Sequence, residues 1–174
     1  MRWIQNAIGM GRGLLIRKKP MILHGTAAPD FTLPDLDGHA VRLADLRRDR
    51  PALLAFFKVS CPVCQLTLPF LNRLLPSTKM RVVTISQDDA TVTQRFRARF
   101  GVTAPTLLDD EERGYPVSNA YKLTNVPSLF LVEPDGAISL ASNGFAKADL
   151  EAIAARAGVE IFGANEQVPV WRPG

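Results

Sequence analysis

An apolar run from Pro51 to Phe57 gives way, within four residues, to Cys61-Pro62-Val63-Cys64 and then to large apolar residues at helical spacing. A near-continuous apolar segment of this length is the mark of a strand buried on both faces, so it requires a sheet beside it and cover above and below. Leu66, Phe70, Leu71, Leu74 and Leu75 recur at three- and four-residue intervals and predict a helix over 62–75. The chain therefore contains a buried strand feeding a helix, with its only two cysteines at the junction. Two cysteines cannot build a disulfide scaffold, and a bridge across two residues closes too small a loop to add much stability. At such a junction the pair reads as a thiol–disulfide redox centre, provided further βα units surround it.

The rest of the sequence supplies them. Residues 28–33 read as a short strand, Asp35-Leu36-Asp37-Gly38 as a turn, residues 40–43 as a second strand, and Leu43–Leu46 as a helical turn. Met80–Ile85 is a second buried strand, followed by a helix to Phe100 that Asp89 or Thr91 caps. Residues 101–113 read as a loop-rich connection whose Asp109-Asp110-Glu111-Glu112 run is a solvated face, and Val117–Tyr121 reads as a short helix. Residues 128–132 and 137–141 are strands joined by the turn Glu133-Pro134-Asp135-Gly136, and Lys147–Ala157 is a closing helix with Gly158 as its C-cap. Parallel strands followed by an antiparallel hairpin and a last helix predict an α/β fold, a thioredoxin-like three-layer α/β/α with a mixed central sheet and an N-terminal β-hairpin extension. The division expected is a basic segment over 1–24, one domain over 25–158 and a tail over 159–174 that carries too many turn residues to assign.

A pI near 9.4 suggests nucleic acid until the charges are placed. Arg2, Arg12, Arg17, Lys18 and Lys19 lie in the first twenty residues without an acid, whereas the other 154 residues hold 16 basic and 17 acidic groups. The body of the chain is near neutral and its basic residues have no aromatic interleaving, which excludes a nucleic-acid partner. Trp3, Ile4, Ala7, Ile8, Leu14 and Leu15 fall loosely on one helical face, interrupted by three glycines. No clean apolar core there leads to a small-residue cleavage site, so a signal peptide is not expected. A terminal helix packed on its own domain or a partner is the preferred reading, with membrane-surface contact through residues 1–19 as the alternative. The expected compartment is the cytoplasm, with membrane association or a periplasmic or exported setting left open.

Four motifs in order resemble a known group. Residues 28–46, Ala-Pro-Asp-Phe-Thr-Leu-Pro-Asp-Leu-Asp-Gly-His-Ala-Val-Arg-Leu-Ala-Asp-Leu, are similar to the opening hairpin of the redoxin (AhpC/TSA) group of the thioredoxin superfamily. Ser60-Cys61-Pro62-Val63-Cys64 is similar to its active-site motif, Pro69 stands where thioredoxins carry a helix-kinking proline, and Asn125-Val126-Pro127-Ser128 is similar to the cis-proline segment that faces the dithiol. Residues 25–157 resemble TlpA-like disulfide reductases most closely. The chain departs from the pattern at Ser60, where thioredoxins place Trp, at Ala55, where they bury an Asp, and at Thr67, where several cytochrome-maturation relatives carry Glu. The usual proton-accepting carboxylates are thus missing from their positions.

Only a thiolate attacks a disulfide, and an unperturbed thiol with pKa about 8.5 is mostly protonated at neutral pH. Cys61 falls at the predicted start of a helix, where unpaired N–H groups and the helix dipole favour negative charge, and Pro62 suits the first turn because it has no N–H. Cys61 is thus the expected attacking sulfur and Cys64, one turn on, the resolving one. Lys58 could assist Cys61, although a solvated strand-end lysine is the plainer reading. A cis Val126–Pro127 bond would present the Val126 backbone to an extended substrate beside the dithiol, giving Val126, Pro127, Pro62 and Ser60 as the substrate-binding set.

The expected activity is protein-disulfide reduction, with a protein or small-thiol disulfide as substrate, an unidentified electron donor, and no cofactor or metal. Three rivals stay open. A peroxiredoxin-like peroxidase needs Pro and Thr or Ser where this chain has Leu54 and Lys58. A thiolate metal site would need further ligands, for which His24 and His39 are the only histidines. A redox-inert binding module would keep the fold without the chemistry.

Overall fold

The computed structural model of the chain describes residues 25–174. The predictions for residues 1–24, including the terminal helix and His24, fall outside them. In chain order come β1 (Thr32–Pro34), β2 (Ala40–Arg42), α1 (Leu43–Leu46), β3 (Ala52–Phe57), α2 (Pro62–Leu71), β4 (Arg81–Ser86), α3 (Ala90–Phe100), β5 (Thr106–Leu108), α4 (Pro116–Ala120), β6 (Ser128–Val132), β7 (Ile138–Asn143), β8 (Phe145–Ala146), α5 (Lys147–Ala157) and β9 (Trp171–Arg172). The central sheet has the order β5-β4-β3-β6-β7. Its β3–β4 and β4–β5 pairings are parallel, and its β3–β6 and β6–β7 pairings are antiparallel.

Every residue of β3 is buried, because the strand lies at the centre with helices on both sides. Its alternate residues divide two cores. Leu54 and Phe56 join Val83, Ile85 and Phe130 under the β1–β2 hairpin, α1 and α4. Leu53 and Ala55 face α2 and α5, and Phe57 packs with Cys64, Leu68 and Phe96 of α3. The chain moves outward from β3 to β4 to β5, so two right-handed crossovers place α2 and α3 on the same face. Tyr121 ties the hairpin layer down: its hydroxyl donates to the Pro29 carbonyl at 3.1 Å, and its ring sits 5.3 Å from Phe56 and 5.0 Å from Phe130.

The expected three-layer mixed sheet with its hairpin extension is present. Asp89 is the cap of α3, accepting from Val92 N–H at 2.9 Å. Residues 101–113 hold more than a loop, since β5 lies within them. Three residues are too few to show a period, and the strand exists because β4 offers it a parallel edge. The solvated-face expectation for 109–112 is wrong at its first two residues. Asp109 is fully buried and accepts from the amides of Val117 at 3.1 Å and Ser118 at 2.6 Å. Asp110 caps the turn Glu111–Arg113, and only Glu111 and Glu112 face solvent. A carboxylate at the end of β5 meets the unpaired N–H groups that start α4, and that pairing offsets its burial.

The segment beyond Gly158 also folds onto the body. Ile161 is buried, and Phe162 and Val168 pack on the α5 core. Arg73 holds Glu166 through two hydrogen bonds of 2.5 and 2.9 Å, and β9 pairs antiparallel with β8.

Candidate active site

The carboxyl ends of parallel strands leave a crevice where loops converge, and β3 and β4 end together. From Phe57 the chain turns through Lys58, Val59 and Ser60, closed by a hydrogen bond from Cys61 N–H to the Lys58 carbonyl at 3.1 Å. Two residues brace the turn from outside it. Asp88, just past β4, accepts from Val59 N–H at 2.7 Å, and Gln65 of α2 donates to the Val59 carbonyl at 3.0 Å.

Cys61 is the N-cap of α2, with extended backbone (φ −84, ψ 115) and Pro62 in the first turn. Its Sγ accepts from Cys64 N–H at 3.3 Å, so one of the unpaired amides at the helix start is directed at the sulfur. The same Sγ donates to the Val126 carbonyl at 3.3 Å. The Val126–Pro127 peptide is cis. Cys61 and Cys64 are both free thiols, the first partly exposed and the second buried.

Burial pushes the Cys64 thiol well above its ordinary range; a backbone hydrogen bond at Lys58 pulls the other way, and Cys61 and the charge on Asp88 push it further up. Cys64 is therefore a protonated thiol at neutral pH that must give up its proton before acting as a nucleophile.

The residues expected at the site divide in two. Cys61, Cys64 and Val126 meet around one sulfur. Pro127 is buried behind Val126, while Ser60 and Pro62 are exposed on either side of Cys61 without a polar side-chain contact of their own. Lys58 lines a cleft with Asp88, Asp89, Asp110 and Glu111. Leu54 is in the core of the sheet, and Thr67 turns its hydroxyl back to the Val63 carbonyl at 2.7 Å. His39 lies in the β1–β2 turn, 3.3 Å from Asp35. Asp88 escaped the sequence reading, and its signal was positional: a carboxylate immediately past a buried strand parallel to the one bearing the dithiol.

Residues 24–141 match the family described as AhpC/TSA family. The thiol-disulfide oxidoreductase ResA of Geobacillus kaustophilus is 32% identical over 140 residues, covering 77% of this chain and 78% of that protein. A Chlorobium tepidum structure, named as a candidate thiol:disulfide interchange protein DsbE, superposes with a TM-score of 0.66 at 26% identity, over 76% of this chain and 94% of that one. The thioredoxin domain of a thiol-disulfide oxidoreductase from Bacteroides vulgatus shares the fold at a TM-score of 0.68 and 21% identity, over 78% of this chain and 97% of that one.

Proposed function

The chain belongs to the AhpC/TSA family, and we propose that within it the protein is a thiol–disulfide oxidoreductase that reduces protein disulfides, with Cys61 as the attacking sulfur and Cys64 as the resolving one. The observation that carries this reading is the setting of one sulfur. Cys61 Sγ is partly exposed, sits at a helix start with the Cys64 N–H directed at it from 3.3 Å, and has its buried partner one turn away. The ResA relative bears that activity in its name.

The reaction is two exchanges. The Cys61 thiolate attacks one sulfur of the substrate disulfide, forming a Cys61–substrate disulfide and releasing the other substrate sulfur as a thiolate. Cys64 then loses its proton and attacks Cys61 Sγ, forming the Cys61–Cys64 disulfide and releasing the second substrate thiolate. The substrate gains two electrons and the pair loses them, so a dithiol donor must restore the pair. The backbone of Val126 serves as the docking edge for an extended segment of the substrate, with Pro127, Pro62 and Ser60 as its surroundings. The working unit is residues 25–158, with 159–174 folded against it. Among the described residues no helix is long and apolar enough to cross a membrane.

The test is trapping. Cys64→Ser should accumulate a mixed disulfide between Cys61 and a protein substrate, whereas Cys61→Ser should form none and lose turnover. Equilibration of the wild type with glutathione should show a reversible two-electron transition, nearer the roughly −270 mV of a reductase than the roughly −120 mV of an oxidant. A Cys61 that reacts with hydrogen peroxide but never with a disulfide would overturn the reading in favour of a peroxidase.

A further inference from the structure

The end of the chain comes back to the proposed docking edge. β9 pairs with β8, Arg172 opposite Phe145 and Trp171 opposite Ala146, and the Lys147 amide donates to the Val170 carbonyl at 3.0 Å. Next to β8, Gly144 donates to the Pro127 carbonyl at 2.8 Å, which places it beside Val126. The contacts there admit no side chain. A Cβ on Gly144 would run into the Arg172 carbonyl oxygen, and a Cβ on Gly174 would run into the Val126 carbonyl oxygen. That oxygen is the one that accepts from Cys61 Sγ.

The manner of attachment changes along the segment. Up to Val168 it is anchored by side chains, with Ile161 buried and Glu166 clamped by Arg73. From Val170 onward every residue is exposed, Val170 at 80% and Trp171 at 54%, and the contacts are made by backbone. A strand held by its backbone with its side chains outward is one that another extended chain can replace bond for bond.

We propose that the ground formed by Val126 and Gly144 is a binding site for an extended polypeptide, with residues 170–174 as its resident occupant, and that a protein substrate docks by displacing this strap. The inference rests on the oxidoreductase reading and adds to it the kind of partner the site takes. No second chain fits while the glycine backbones are in contact, so the strap competes with polypeptide disulfides and not with small ones. Lys147 reports its position. It is the first residue of α5, a helix without a side-chain cap, and the bond to Val170 occupies an amide that has no partner within the helix.

The experiment uses the Cys64→Ser protein with residues 170–174 in place. Cys61 is allowed to displace an aromatic thiolate from an extended ten-residue peptide carrying one activated cysteine, and in parallel from activated ethanethiol. Amide exchange at Lys147 is followed by NMR in the free protein and in both adducts. Exchange about tenfold faster in the peptide adduct, and unchanged in the ethyl adduct, is the expected result. Equal protection in all three species overturns the strap, as does equal loss in both adducts. If neither adduct forms, the oxidoreductase reading itself fails and takes the proposal with it. A chain ending at residue 169 supplies a second readout. The ratio of its rate constants for peptide and small disulfides should rise about threefold to tenfold over the full chain. An unchanged or lower ratio overturns the proposal.

Discussion

Asp88, two residues past the end of β4, braces the turn that leads to Cys61, while Ala55 and Thr67 hold the positions where a carboxylate was sought. Its charge is one of the causes that raise the Cys64 thiol, and its oxygen holds Val59. Asp88→Asn keeps an acceptor for Val59 N–H and removes the charge, so the pH profile of the resolving step should move to lower pH. Stopped-flow release of substrate thiol from the mixed disulfide, across pH, reads this directly. Cys64 also links stability to pH. The folded state holds its thiol protonated above the range of about 8.5 to 9.0 in which an unperturbed thiol ionises. Above that range the unfolded chain sheds the proton and the folded chain keeps it. The contribution is therefore complete below that range and is lost as pH rises further, at up to about 1.4 kcal/mol per pH unit. Urea unfolding of the reduced protein between pH 8 and 10.5, compared with Cys64→Ala, should show the steeper fall in the wild type. The buried Tyr121 hydroxyl, also raised by burial, adds a fall of the same sign to both near the upper end. A parallel slope in both proteins would assign it to other groups. The pairing of Cys61 with Cys64 was legible from spacing alone, because a helix brings residues three apart onto one face. The part played by Asp88 was not, since 24 residues separate it from Cys64 and only the parallel register of β3 and β4 brings them together.

Among the elements, α4 shows how far a local pattern carries. The sequence reads as a short helix over Val117–Tyr121, and a short helix is present one residue earlier, over Pro116–Ala120. What holds it is Asp109, eight and nine residues before the amides it accepts from. Asp109→Ala would strand two buried N–H groups and should cost about 2–4 kcal/mol, read as a lower urea midpoint with an unchanged m-value. Asp109→Asn should recover part of that loss. A run of four acids looks solvated in one dimension because nothing in the sequence says that β5 will carry the first of them under the next helix. For α2 the sequence was nearly sufficient. The predicted helix over 62–75 becomes α2 to Leu71 and then a tighter turn over Asn72–Leu74, with Pro69 inside the helix and without an N–H to donate.

At the level of the whole molecule, the tail beyond Gly158 is held before it reaches the site by the packing of Ile161, Phe162 and Val168 and by the Arg73–Glu166 clamp. The Arg73 guanidinium holds the Glu166 carboxyl down at about 2. The linkage is that of a depressed acid: the clamp is intact above the usual carboxylate range near 4.5 and is lost as pH falls through about 2. Arg73→Ala should open it at neutral pH. The amide of Gly163, which donates to Glu166 at 3.0 Å, should then exchange faster while amides in β3 keep their protection. Unchanged exchange at Gly163 would show that the apolar contacts of Ile161 and Val168 suffice. By itself the sequence determined the layers, the central buried strand, the helix that follows it and the dithiol at their junction. Each of these depends on residues within about one element of each other, where periodicity and turn chemistry operate. It also marked Val126 and Pro127 through their resemblance to a known segment, though not through any local rule. Only the tertiary structure decided that β5 completes the sheet, that Asp109 is buried and Asp88 braces the site, and that residues 170–174 lie across Gly144 and Val126. Those contacts join residues far apart in the chain, and their energies depend on strand order and close approach, which no window of sequence contains.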